Sequence, residues 1–224
     1  MKKLIMLLAL ISVMACKEKQ QPEETKIEEP VEVAEATPEI DYASYGMKAD
    51  NAPKGLAKGT KAPEVTLSVD GTETTLASLY KDQKVALIFY RGYWCPACNK
   101  HLSEFAERAK ELEDKGIKLI AITPEAQDGV EKTKERTKAN FTIVSDTDGS
   151  LQEAFDVDYD VTEGYLGKVQ EKLSVSIAEN NANGKGQLPV PATYVIDTNG
   201  EIVFAHFDPN YSKRASIDDI LAAL

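Results

Sequence analysis

The run Val85-Ala86-Leu87-Ile88-Phe89-Tyr90 constrains the fold more than any other stretch of the chain. Six successive apolar residues with no polar alternation suit a strand covered on both faces, the pattern of a parallel sheet between helical layers. The residues that follow agree with this. Over 96–115, Leu102, Phe105, Ala109 and Leu112 recur at the spacing of one helical face, and Gly116 follows as a helix stop. Residues 118–123 are a second apolar run, so the unit is strand–helix–strand, parallel and right-handed.

Downstream, Asp128 and Glu131 have the form of a capping box before a helix to about residue 140, and residues 141–144 suit a short third strand. Two more apolar runs, 193–197 and 202–206, flank Thr198-Asn199-Gly200-Glu201. An Asn-Gly pair in that position predicts a hairpin. Ser216 caps a closing helix that runs to Ala223. No internal repeat is visible. Strand–helix–strand followed by hairpin and helix is the element order of a thioredoxin-like α/β fold, a central mixed sheet flanked by helices.

The N-terminal part reads differently. A basic Met1-Lys2-Lys3 precedes an apolar run over 4–13 broken only by Ser12. Crossing a bilayer takes about 20 apolar residues, so this shorter run reads as a secretory signal. Cys16 directly after Ala15 resembles the lipobox of bacterial lipoproteins. The resemblance implies removal of residues 1–15, an acylated Cys16 with no free thiol, and a chain anchored to a membrane rather than spanning it. It places the protein in the cell envelope, on the periplasmic or extracellular side, and Lys17 after the Cys favours an outer membrane where there is one. An ordinary cleaved signal with an incidental Cys is the plainer alternative, as is an uncleaved one. Residues 16–55 then read as an acidic tether, and 56–224 as the folded domain. Nine acids against three lysines between Lys17 and Asp41, with Pro22, Pro30 and Pro38, leave too little apolar surface to offset the entropy of ordering. A formal charge of -11 argues against a nucleic-acid partner, since phosphate binding needs Lys and Arg in excess.

The chemistry concentrates in Tyr93-Trp94-Cys95-Pro96-Ala97-Cys98, between the first core strand and the long helix. Two cysteines three apart at a helix N-terminus are placed to form a disulfide, and the dipole and free N–H groups there stabilise a thiolate. Pro96 fits the first helical turn, where its missing N–H costs nothing. The pair is also half of a zinc site. Only Cys16, His101 and His206 offer further thiolate or imidazole ligands, so no metal and no other cofactor is expected. A secreted compartment suits a working disulfide.

At these residues the chain resembles a known family. Phe89-Tyr90-Arg91-Gly92-Tyr93-Trp94-Cys95-Pro96-Ala97-Cys98 is similar to the active-site segment of peroxiredoxin-like proteins of the AhpC/TSA group, within the thioredoxin superfamily. Residues 59–67 resemble their opening strand. Leu188-Pro189-Val190-Pro191-Ala192-Thr193 resembles the segment that carries the superfamily's cis-proline, which implies Pro191 beside the Cys pair. The stretch from His206 through the final helix is also similar. The register that sets Cys98 on the family's attacking Cys puts Cys95 at its Thr and Arg91 at its Pro, and Val190–Thr193 lacks the Arg found there in the family.

The resemblance implies a thiol peroxidase that reduces hydroperoxides through a Cys95/Cys98 cycle, restored by a thioredoxin-like reductant. A thiol–disulfide oxidoreductase acting on protein disulfides uses the same pair, and a lipid-anchored binding module with a structural disulfide is the non-enzymatic alternative. Helix geometry favours Cys95, expected to be the more exposed, as nucleophile; the family register favours Cys98. Trp94 and Pro96 support the site, and Arg91 is either a charge partner for the thiolate or a solvated loop residue. His101 is expected to be a surface helix histidine. Asp146-Thr147-Asp148-Gly149-Ser150 has calcium-loop character, but Val157 stands where an EF-hand needs Glu, so a turn and helix start is expected. Residues 156–189, with Gly164, Gly167 and an Asn/Gly cluster, read as a partner-facing insertion or a loose loop.

Overall fold

The computed structural model describes residues 40–224. The signal and lipidation expectations at residues 1–16 lie outside them. Within them, Thr66–Val69 (β1) and Thr72–Thr75 (β2) form a hairpin that leads into Leu76–Tyr80 (α1). The apolar run is Lys84–Phe89 (β3), followed by Pro96–Glu113 (α2), Ile117–Thr123 (β4), Gln127–Thr137 (α3) and Thr142–Ser145 (β5). Then come Ser150–Ala154 (α4), Asp158–Asp160 (β6), Glu163–Leu173 (α5), Ile177–Asn180 (α6) and Gln187–Pro189 (β7). Ala192–Ile196 (β8), Ile202–Phe207 (β9) and Ile217–Ala222 (α7) close the chain.

Five strands make the central sheet in the order β5-β4-β3-β8-β9. β3, β4 and β5 are parallel, and β8 and β9 add antiparallel, so the sheet is mixed as expected. The strict apolar run of β3 reflects its place in the middle. Ala86, Ile88 and Tyr90 face a core shared with Leu102, Phe105 and Leu112 of α2. Val85, Leu87 and Phe89 face the other core, with Leu76, Phe155 and Tyr194. There Phe89, Phe155 and Tyr194 pack with ring centroids 5.0–6.1 Å apart, each pair worth about 0.5–1.5 kcal/mol beyond its buried area.

The β8–β9 hairpin turns at Asn199 and Gly200 as expected, and Asp197 Oδ1 accepts from the N–H groups of Asn199 and Glu201 at 2.9 and 2.8 Å. Ser216 caps α7 in a capping box with Asp219. Asp146 ties the α4 start by accepting from the Leu151 and Gln152 N–H groups at 3.1 and 3.0 Å, as a helix-start reading requires.

Three expectations need correction. The capping box at Asp128 is absent: α3 starts earlier, at Gln127, because the Ala126 N–H is already held by the Asn180 carbonyl at 3.1 Å. Asp128 instead pairs with Lys132 at 2.8 Å. Residues 156–189 are no loose loop. They hold two helices and a β6–β7 ladder, and the glycines that suggested a loop include Gly164 and Gly167, which lie inside α5. The stretch before residue 55, read as tether, also begins the fold. Tyr42–Tyr45 forms a 3-10 turn capped by Asp41, a second turn spans Ala49–Asn51, and Met47 is buried. No helix of the described residues is long and apolar enough to cross a membrane.

Candidate active site

Cys95 is the N-cap of α2. Its Sγ accepts the Cys98 N–H at 3.3 Å, the bond an N-cap oxygen makes in other helices, so the sulfur satisfies a backbone donor that has no intrahelical partner. Pro96 holds the first helical position, where no N–H is needed. Nη2 of Arg91 donates to the same sulfur at 3.1 Å. Arg91 is thus a charge partner and not a solvated loop residue: it is 4% exposed. Its Nη1 donates to the Tyr165 hydroxyl at 2.8 Å, and its plane lies 3.8 Å from the centre of the Tyr211 ring. Burial works against the charge on the guanidinium, but the field of the two sulfurs outweighs it and holds the group firmly charged.

Both cysteines are completely buried, so the expected greater exposure of Cys95 is corrected. Tyr165 on α5 and Tyr211 after β9 hold the Arg91 guanidinium from above, through contacts that sequence spacing does not reveal. Both sulfurs are free thiols. They titrate as a unit. Burial works against any charge, but the Cys95–Cys98 hydrogen bond and the guanidiniums of Arg214 and Arg91 outweigh it for the first proton. That proton is held by Cys98 and leaves well below the ordinary thiol range, while burial and the negative Cys98 sulfur beside it push Cys95 well above that range.

Trp94 is 5% exposed, with its ring 5.5 Å from Arg91. Gly92, at φ +154°, passes between this ring and Glu125, and a Cβ there would lie 2.5 Å from both Trp94 Nε1 and Glu125 Oε1. Pro191 is buried directly before β8, whose Thr193 pairs with Ile88. Continuing that register sets Pro191 beside Tyr90, on the strand that leads to the cysteines. His101 is buried, against expectation. It shares the broad apolar face of α2, packs edge-on to Phe105 at 4.8 Å, and its Nε2 lies 2.8 Å from the Ala215 carbonyl. Burial pushes its pKa down to about 4, so the ring is neutral and donates to that carbonyl.

Two residues escaped sequence reasoning. Arg214 stands 3.5 Å from Cys98 Sγ through Nη2, although 116 residues separate them. Glu125, at the end of β4, is fully buried and accepts the Tyr93 N–H at 2.8 Å. The inserted segment fixes it, since Glu125 bridges Asn181. Burial pushes the Glu125 carboxyl up to about 8, with the nearby Cys98 charge adding to the effect. This has a measurable consequence. The folded state favours the neutral acid, so stability falls as pH rises from the unfolded value of 4.5 through about 8. Glu125→Gln keeps an acceptor for Tyr93 but cannot ionise. In urea unfolding it should match the parent near pH 4.5 and exceed it increasingly up to pH 8, by an amount on the order of a few kcal/mol. Parallel pH profiles for the two proteins would show that Glu125 does not ionise on unfolding in this range.

Beside the pair opens a cleft of about 490 Å³, lined by Trp94, Pro96 and Ala97 on one side and by Tyr165, Val169 and Leu173 of α5 on the other. Its charged lining residues are Arg91, Lys168 and Lys172, all cationic in a chain of net charge -11. Among the described residues, no three His, Cys, Asp or Glu side chains converge as a metal site would require.

The AhpC/TSA family pattern matches residues 58–205, two thirds of the chain and all of the central sheet but the last two residues of β9. The chain belongs to the AhpC/TSA family. Peroxiredoxin Bcp of Bacillus subtilis is 31% identical over 99 residues, 44% of this chain and 63% of that protein. The thiol-disulfide oxidoreductase ResA of the same organism is 29% identical over 106 residues, 46% of this chain and 58% of that protein. The chain therefore spans somewhat less than two thirds of these curated relatives. Among solved structures, reduced Prx3 of Vibrio vulnificus in complex with hydrogen peroxide superposes with a TM-score of 0.60 at 22% identity, over 75% of this chain and 99% of that one. Peroxidoxin BcpB of Mycobacterium tuberculosis superposes with a TM-score of 0.55 at 22% identity, over 74% and 94%. At that identity the likeness carries the fold: a thioredoxin-like fold of peroxiredoxin type.

Proposed function

We propose that this AhpC/TSA protein reduces hydroperoxides through a dithiol–disulfide cycle of Cys95 and Cys98. One observation carries the reading: Cys95 Sγ, at the cap of α2, accepts from both Arg91 and the Cys98 N–H, with a second thiol one helical turn away. Cys95 passes its proton to the neighbouring Cys98 thiolate and attacks the outer peroxide oxygen, the O–O bond breaks, and the departing oxygen takes a proton from solvent and leaves as alcohol or water. Cys95 becomes a sulfenic acid. Cys98 attacks that sulfur, and water and the disulfide form. A thioredoxin-like dithiol then returns both thiols and is itself oxidised. The cleft beside Trp94 and Pro96 is the route for substrate, and Pro191 stands beside Tyr90 at the start of the neighbouring strand.

Mass spectrometry after one equivalent of hydrogen peroxide tests this. The expected product is an intramolecular Cys95–Cys98 disulfide, seen as loss of both thiol hydrogens, with one peroxide consumed per chain. A protein that leaves peroxide untouched while reducing insulin disulfides is instead a thiol–disulfide oxidoreductase, the reading favoured by its similarity to ResA. A protein that does neither is the binding module with a structural disulfide.

The proposal extends to location. Acylation of Cys16 would anchor the domain to a membrane of the cell envelope, with an outer membrane favoured by Lys17. Cys16→Ser should move the protein from the membrane to the soluble fraction while peroxide consumption by the isolated protein is unchanged. Unaltered fractionation would remove the anchor.

A further inference from the structure

Arg214 lies in the connection between β9 and α7, where its Nε donates to the Tyr211 carbonyl at 2.8 Å. The connection thus wraps its own guanidinium and points Nη2 at Cys98 Sγ, 3.5 Å away. Nη1 is buried without a hydrogen-bond partner. Neither Arg91 nor Arg214 pairs with a carboxylate among the described residues. Arg91 is buried and Arg214 half-buried with its Nη1 out of reach of solvent, and a cation so placed without a carboxylate calls for another negative group. For Arg91 that group is Cys95, and for Arg214 it is Cys98.

We infer that each sulfur has its own guanidinium, and that Arg214 is the catalytic residue that carries Cys98 as a thiolate when the disulfide opens. The inference rests on the proposed peroxide cycle for its direction, but the pairing itself does not. In the reductive half of the cycle, a thiolate of the reducing dithiol attacks Cys95 Sγ. The Cys95–Cys98 bond breaks, and its electron pair leaves on Cys98. The second thiol of the reductant then attacks its own sulfur in the mixed disulfide, which releases Cys95 as a thiolate and leaves the reductant as a disulfide. Opening is faster when the leaving thiolate is better stabilised. Cys98 is buried with no solvent to take up the charge, so the adjacent guanidinium supplies that stabilisation. Arg91, on the other sulfur, serves the oxidative half. The two arginines come from opposite ends of the domain sequence and divide the cycle between them.

His101 is a positioning residue for this arrangement. Its neutral ring donates from Nε2 to the carbonyl of Ala215, the residue after Arg214, and so ties the connection to the helix that carries Cys98. The other titratable groups facing Cys98 are Cys95, Arg91, Tyr90 and Glu125. His101 also faces both Cys98 and Arg214, and with Cys95 removed these neighbours are the same side chains in parent and Arg214 variants.

The test measures the ultraviolet thiolate absorbance of Cys98 against pH in the full chain carrying Cys95→Ser, with and without Arg214→Gln. The inference expects the Cys98 pKa to rise by at least about one unit on loss of Arg214, with Arg214→Lys between the two. His101→Phe should raise it as well, and His101→Gln, which retains a donor, should restore most of the parent value. In the protein with both cysteines, Arg214→Gln should slow opening of the disulfide by dithiothreitol about tenfold or more, while oxidation by hydrogen peroxide slows by less than about threefold. Trp94, the only tryptophan, supplies the fluorescence signal for both. An unchanged Cys98 pKa in both Arg214 variants would overturn the inference, as would a larger loss in the peroxide step than in the reductive one. Because the titration uses no peroxide, a parent protein inert to peroxide would refute the proposed function and leave the pairing of Arg214 with Cys98 to stand or fall on the pKa alone.

Discussion

Cys95→Ser should lower peroxide-driven turnover by at least about a thousandfold, since a nucleophile that acts as a unit with its activating groups leaves little behind when removed. The geometry behind this is specific. Cys95 Sγ receives the Arg91 guanidinium at 3.1 Å and the Cys98 N–H at 3.3 Å, donors that a serine oxygen also attracts without becoming an anion at neutral pH. The cleft that admits substrate is lined by Trp94, Pro96 and Ala97, the immediate neighbours of Cys95. Cys98→Ser should behave differently. It should form one stoichiometric sulfenic acid on Cys95, trappable by dimedone, and then stop for want of a resolving thiol. The opposite pattern, with dimedone adduct in Cys95→Ser and none in Cys98→Ser, would transfer the attacking role to Cys98.

Phe105→Ala should destabilise the fold by about 3–5 kcal/mol, the cost of removing a buried aromatic ring and leaving a cavity. Phe105 is 1% exposed and lies where α2 meets the sheet core. For a domain of this size that loss corresponds to a fall in melting temperature of roughly 10 °C. Thermal and denaturant unfolding of the reduced protein measure it. The ring also supports His101 edge-on at 4.8 Å, so the variant should lose stability and loosen the Arg214 connection together. A loss below about 1 kcal/mol would mean that the core collapses into the space without penalty.

Much of this fold was legible because its strands are buried on both sides. Such strands show as apolar runs, and β3, β4 and β8 all appear within a residue or so of where their runs stand. α2 was equally clear, since Leu102, Phe105, Ala109 and Leu112 mark one face. The start of α3 was missed because a contact with Asn180 fixes it, and a capping pattern carries no information about such a contact. A loose loop was one reading of residues 156–189 because glycine is rare inside helices, yet Gly164 and Gly167 have open space around them on α5.

The site shows the same division. Cys95, Pro96, Trp94 and Arg91 are local to one turn, so a motif can present them. Arg214, His101 bonded to Ala215, and Glu125 pinned by Asn181 depend on contacts between distant segments. Only the similarity of the stretch beyond His206 to the family hinted that this connection matters.

The turn at Tyr42–Tyr45 has a role beyond starting the domain. Gly46 lies flat on Tyr165, close enough that a Cβ would come within 2.6 Å of that ring, and its carbonyl accepts the Thr162 N–H at 2.9 Å. Tyr45 meets Tyr211 edge-on at 5.7 Å. Both tyrosines that hold Arg91 are therefore braced by the stretch of chain ahead of the sheet. A domain trimmed to begin at residue 56, where composition alone would set the boundary, keeps every catalytic side chain and loses the brace behind the two tyrosines on Arg91. The chain retained ahead of the sheet thus helps hold the guanidinium that faces Cys95.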